Sequence, residues 1–218
     1  MPSRKNPRKR NLKKSNGTST LLAVNQALKD EVRTRHALEA QLAIASQNHQ
    51  ADHHAAFHDL LTGLPNRALF NDRLDVAIAQ ANRRGLMLAV MFTDLDCFKV
   101  INDTYGHSAG DSVLKAMELR LMDHTRSADT VCRFGGDEFL FLLSDLRDES
   151  DIHLIARKLL KAIEAPCLIA TAGAPVSLQV KASLGFSVFR GVDDTGAALI
   201  KRADDAMYEV KRQRRSVA

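Results

Sequence analysis

Four acids in two short stretches carry the chemistry this sequence could perform. Asp94 and Asp96 follow the apolar run from Leu86 to Phe92, and Asp137 and Glu138 follow the paired glycines Gly135 and Gly136. Carboxylates at the ends of neighbouring strands can converge, and hard divalent cations prefer such oxygen donors. Two ions about 3.5–4 Å apart can clamp the attacking and leaving oxygens of an in-line phosphoryl displacement. A Gly-Gly turn carries no side chains, so a phosphate or a base can approach its backbone. Taken alone, the same stretch also reads as an ordinary hairpin turn with exposed acids. Other motifs for this chemistry are missing. There is no GxxxxGK[ST] and no GxGxxG, and a calcium loop starting at Asp94 fails because its fifth and sixth positions are Phe98 and Lys99.

The elements that must position these acids are legible from periodicity and punctuation. Leu86 to Phe92 is a strand-length apolar run, expected to be covered on both faces. Thr130–Phe134 and Glu138–Leu143 are short strands around Gly135-Gly136, a hairpin signal. Asn66 is a candidate cap for a helix to about Arg84, closed by Gly85, with Leu69, Phe70, Leu74, Ile78 and Ala81 inward. Short helical turns follow Asp96, then helices over about 109–124, 150–163 and 195–213, with strands at 168–170 and 177–189. The order βααββαββα predicts an α/β (α+β) domain with a central mixed sheet flanked by helices.

Composition sets the bounds. The chain has 218 residues, 45% hydrophobic and 26% charged, which is globular. A body of roughly 150 residues buries about 70% of its unfolded surface and needs no staples. Three scattered cysteines, Cys97, Cys132 and Cys167, argue against a disulfide framework and fit a reducing cytoplasm. The net charge of +5 comes from a tail, since residues 1–16 hold seven basic residues and no acid, and the rest sums to −2. No membrane span or secretory leader is expected. Residues 1–18 read as a disordered basic tail, and 19–57 as an amphipathic dimerisation or signalling helix with a broken stripe of Leu21, Val24, Leu28, Val32, Leu38, Leu42 and Ala45. His49, His53, His54 and His58 lie partly at i,i+4 spacing, which can bind zinc. Only Asp52 or Asp59 could complete such a site, so a solvated or packed helix is the preferred reading.

Four motifs then fall in order. Phe92-Thr-Asp-Leu-Asp-Cys-Phe-Lys-Val-Ile-Asn-Asp-Thr-Tyr-Gly-His-Ser-Ala-Gly-Asp111 and Arg133-Phe-Gly-Gly-Asp-Glu-Phe139 resemble the GGDEF family, the diguanylate cyclases. Asp59-Leu-Leu-Thr-Gly-Leu-Pro-Asn-Arg67 resembles its opening motif, and Ala203-Asp-Asp-Ala-Met-Tyr-Glu-Val-Lys211 its final helix. The resemblance spans residues 58–215, about 70% of the chain. It implies a fold similar to nucleotidyl cyclase and polymerase palm domains. It also implies a reaction joining two GTP into cyclic di-GMP with release of two pyrophosphates.

The resemblance assigns roles residue by residue. Asp94 and Asp137, with the Leu95 carbonyl and Glu138, would hold two Mg2+ (or Mn2+) ions per active site. Asp137 or Glu138 could help deprotonate the attacking 3′-hydroxyl. Asn102 and Asp111 would bind the guanine edge, with His107 in the same loop, although alone they also read as turn and cap residues. Gly135 and Gly136 would give the nucleotide access. Lys99, Lys211 and Arg215 would neutralise phosphates. The family usually has Gly where this chain has Arg214, which bears on where Arg215 falls; the basic run itself also reads as a solvated helix end.

The chemistry needs two facing sites, hence a homodimer. Arg126-Ser-Ala-Asp129 matches the family's inhibitory RxxD, with Arg157 as a further contact for cyclic di-GMP. The competing readings are a catalytically silent cyclic di-GMP receptor on the same fold, and a polyanion binder using the basic tail, with nucleic acid not the main partner. A regulatory protein could act through the N-terminal helix.

Overall fold

A computed structural model describes the backbone of residues 8–169 and 174–217, with side chains over 20–46, 54–169 and 174–214. The chain forms two compact units, residues 1–53 and 54–218. The first is built on helix α1 (Arg8–Phe57). This helix already includes residues 8–18, which were expected to be disordered. That stretch follows Pro7 and is rich in Lys and Arg, which propagate helix well. Leu21, Val24, Leu28, Val32, Leu38 and Leu42 of α1 are all exposed. Among the described residues no helix is long and apolar enough to cross a membrane.

The second unit is a sheet with helices on both faces. Helix α2 (Arg67–Arg84) is capped by the Asn66 side chain, which accepts from the amides of Ala68 and Leu69, and it ends at Gly85. Strand β1 (Met87–Leu95) leads into α3 (Phe98–Tyr105) and α4 (His107–Asp123). The hairpin β2 (Thr130–Gly135) and β3 (Glu138–Leu146) precedes α5 (Glu149–Glu164). A small pair, β4 (Cys167–Ile169) and β5 (Val176–Leu178), comes before β6 (Ala182–Val188) and α6 (Gly196–Val217).

The main sheet has the order β2-β3-β1-β6, and every pairing is antiparallel. The mixed sheet expected from the sequence is corrected on this point. The short turn after Gly135 makes β2 and β3 antiparallel neighbours, and β1 is buried because helices cover both its faces, not because it lies in a parallel sheet. The strand expected over 177–189 is divided into β5 and β6, which belong to different sheets.

Alternation along β1 splits the core. Ala89, Met91 and Leu95 pack with Val113, Met117, Leu121, Ile152 and Leu159 of α4 and α5. Leu88, Val90 and Phe92 pack with Phe70 and Leu74 of α2 and with Leu199, Ala203 and Met207 of α6. Cys132 and Cys167 are buried within these layers, and all three cysteines are free. Burial, with the nearby Asp59 charge, pushes the Cys132 thiol up to about 12, so it is inert.

Candidate active site

The sheet brings the predicted acids together at one end. Asp94 lies within β1, not beyond it, and pairs in register with Glu138 on β3 and Ser183 on β6. Asp94 is buried at 8% exposure, while Asp137 and Glu138 are half-buried. The Leu95 amide donates to the Asp137 carbonyl at 3.2 Å, joining the β1 end to the hairpin turn. Gly136 has φ +52°, a left-handed conformation that costs glycine nothing. Its carbonyl accepts from Arg133 Nε at 3.0 Å and Nη2 at 2.8 Å. Arg133 Nη1 in turn reaches both Asp59 carboxylate oxygens, at 2.9 and 3.1 Å. Burial alone would raise the Asp59 carboxyl, but hydrogen bonds from Thr62 and Arg133 hold it below the usual range. Asp59 and Arg133 sit inside the quoted motifs, yet the sequence does not show that they clamp the turn.

Electrostatics follow from this crowding. Burial and then the Asp94 charge lift the Asp137 carboxyl above its ordinary value. Burial lifts Glu138, with Asp94, Asp137 and Asp204 adding to the effect. Among the described residues no three His, Cys, Asp or Glu side chains are grouped ready to hold a metal ion. Instead the Lys211 ammonium of α6 sits on Asp94, Nζ to Oδ1 at 2.5 Å. The buried Asp94 carboxylate thus already recruits a cation, and the Asp137 and Glu138 charges press on it; carboxylate oxygens are the donors a hard divalent ion prefers.

The nucleotide-facing candidates occupy α3 and α4. Lys99, His107 and Asp111 are exposed, and Asn102 is half-buried. Asn102 is held against Gly110, where an added Cβ would stand 2.0 Å from Asn102 Oδ1. Arg214, part of the basic run that the sequence also let read as a solvated helix end, instead binds Asp96 Oδ2 at 3.2 Å and the Ala182 carbonyl at 2.6 Å. The Arg215 side chain lies outside the described residues.

The Arg126–Asp129 turn stands apart from these acids, between α4 and β2. Asp129 is half-buried and accepts from the Ser144 amide at 3.1 Å; burial, the main cause, raises its carboxyl. Cavities of about 460 and 490 Å³ flank it, and both include Asp129 and Arg73. Exposed Arg126 lines the first, whereas Arg157, exposed on α5, is among the lining residues of neither. His54 and His58 stack at 4.1 Å with rings nearly parallel, and His58 Nδ1 is bonded to the Gly63 carbonyl at 2.9 Å. Parallel rings do not aim their lone pairs at one ion. His49 and His53 have side chains outside the described residues.

Comparison with known proteins places this arrangement. Residues 56–217 match the family described as diguanylate cyclase, GGDEF domain. The diguanylate cyclase TpbB of Pseudomonas aeruginosa is 44% identical over 162 residues, which is 74% of this chain and 37% of TpbB. The chain thus spans little more than a third of that relative's length. The coiled coil and GGDEF domain of DgcB from Caulobacter crescentus, solved with c-di-GMP, superposes with a TM-score of 0.70 at 26% identity, covering 81% of this chain and 95% of that one. SiaD of P. aeruginosa, solved with its activator SiaC, gives 0.67 at 28% identity, covering 94% and 80%. With a matching family profile over most of its length and the acids assembled as above, the chain belongs to the GGDEF family.

Proposed function

We propose that this protein is a diguanylate cyclase, condensing two GTP into cyclic di-GMP and two pyrophosphates across a homodimer in the cytoplasm. The observation that carries the reading is the register of Asp94 opposite Glu138, with Asp137 in the adjoining turn. Asp94, Asp137, Glu138 and the Leu95 carbonyl would hold two Mg2+ or Mn2+ ions, which supply charge neutralisation for the phosphoryl groups. Asn102 and Asp111 select guanine, since a carboxylate accepts from its N1–H and N2–H₂ while an amide both donates and accepts. His107 adds a contact, and Gly135 and Gly136 leave room for the nucleotide. The 3′-hydroxyl oxygen of one GTP bonds to the α-phosphorus of the other, the bond to pyrophosphate breaks, and Glu138 or Asp137 takes the hydroxyl proton. Lys99, Lys211 and Arg215 neutralise the triphosphate and its leaving group.

Two accessory roles complete the reading. Product returns to Arg126 and Asp129, with Arg157 as a further contact, and lowers activity. The α1 helix pairs two chains and offers a surface for a regulatory protein. The c-di-GMP in the DgcB structure and the activator on SiaD support these roles by analogy.

The test is purified protein with GTP and Mg2+, products resolved by chromatography, beside Asp137→Ala. Cyclic di-GMP from the wild type alone is expected. No product after bound nucleotide is stripped, with cyclic di-GMP binding but no GTP binding, would replace the cyclase by a receptor.

A further inference from the structure

Two basic side chains on the last turns of α6 hold acids at the end of β1 in different ways: Asp94 lies within the strand and Asp96 just past it. Lys211 meets Asp94 through a single ammonium contact of 2.5 Å. Arg214 uses one nitrogen, Nη1, for two acceptors, Asp96 Oδ2 at 3.2 Å and the main-chain carbonyl of Ala182 at 2.6 Å. Asp96 is itself fixed to β6 by Ser183 Oγ, which donates to it at 2.8 Å, and to the residue before β6 by its own amide, which donates to the Lys181 carbonyl at 2.8 Å. Arg214 therefore ties the helix end to the residue just past β1 and to β6, with a backbone group among its partners, whereas Lys211 touches the one carboxylate that faces Glu138.

The two contacts cannot respond alike when a divalent cation arrives. The cation and the Lys211 ammonium compete for the same Asp94 oxygens, while Asp96 already has Ser183 and Arg214. An ammonium is a compact point charge that changes partners readily, whereas the planar guanidinium of Arg214 is held by two acceptors at once, one of them a fixed main-chain carbonyl. Helix ends have little stability of their own, so freeing Lys211 without another tether would let the end of α6 fray. We propose that Lys211 gives up Asp94 to the divalent cation and turns to the nucleotide's phosphates, while Arg214 acts as a positioning residue that keeps α6 docked during the exchange. The proposal rests on reading Asp94 as a metal ligand.

Mn2+ binding to the nucleotide-free 218-residue chain, read by loss of the free-ion EPR signal, separates the cases. Lys211→Met should bind Mn2+ about fivefold tighter than wild type, and Asp94→Asn should lose binding. Unchanged affinity in Lys211→Met, with binding lost in Asp94→Asn, overturns the exchange. Unchanged affinity in Asp94→Asn overturns the ligand assignment itself. Hydrogen exchange over residues 205–214 tests the anchor. Protection should fall about tenfold in Arg214→Ala, recover in part in Arg214→Lys, and persist in Lys211→Met. Equal loss in Lys211→Met and Arg214→Ala overturns the division of roles. Retained protection of the β1 and β3 amides certifies that each variant folds.

Discussion

Asp137 and Glu138 show how one environment sets both reactivity and stability. Each is lifted, first by burial and then by neighbouring acids, Asp94 foremost. The folded state therefore binds these protons more tightly than the unfolded chain does. Without metal, their effect on stability is most favourable below the ordinary carboxylate pKa. It worsens as pH rises from that value through the lifted one. Removing one charge should relieve the repulsion. In EDTA at pH 7, Asp137→Asn is expected to raise Tm by about 1–3 °C while making no cyclic di-GMP. A Tm below wild type in differential scanning calorimetry would mean that the Asp137 carboxylate is net stabilising. With a carboxylate as the proton acceptor, kcat at saturating Mg2+ should climb with pH through the carboxylate range and then level off.

Among the elements, two glycines set how closely helices approach. At Gly185 of β6 an added Cβ would stand 2.1 Å from Met207 N and 2.4 Å from the Ala203 carbonyl, both backbone atoms of α6. The helix would have to move, and overpacking of this kind costs about 1–3 kcal/mol. Gly185→Ala should lower the unfolding free energy read from urea melts by about that amount and displace Lys211 and Arg214 together. At Gly110 of α4 the obstructing atoms all belong to side chains, Asn102 Oδ1 at 2.0 Å and the Phe98 ring at 3.1 Å among them. Side chains can shift where backbone cannot, so Gly110→Ala should cost less stability than Gly185→Ala and raise KM for GTP. Equal urea shifts in the two variants would refute this distinction between a backbone and a side-chain obstacle.

On the scale of the whole molecule, the proposed reaction asks for two GTP-loaded domains facing each other, so its rate depends on how often domains meet. Helix α1 carries Leu21, Val24, Leu28, Val32, Leu38 and Leu42 exposed, an apolar set that a second copy could cover. Linking domains through such a helix raises their effective concentration. Deleting residues 1–50 should sharply lower specific activity at sub-micromolar enzyme, and raising the protein concentration should restore it. Undiminished activity at low concentration would show that α1 does not pair the domains.

Much of the candidate site could be read in the chain itself because its parts are local. Asp94 to Asp111 is one continuous string, Gly135 to Glu138 is a tight turn, and Asn66, Phe70, Leu74 and Gly85 announce a capped amphipathic helix. Residue type and short spacing suffice for these, since turn geometry, capping and strand alternation act over a few residues. Strand sense and partner choice were decided elsewhere. Insertion of β1 between β3 and β6 made the sheet wholly antiparallel and set Asp94 opposite Glu138 and Ser183. The clasp of Arg214 on Asp96 joins residues 118 positions apart, the Ser183 bond spans 87, and the Arg133–Asp59 clamp spans 74. No local rule reaches that far. Such contacts exist only after the two core layers have packed on either side of β1, which is why the sequence determined the inventory of the site and the tertiary structure determined which charge meets which.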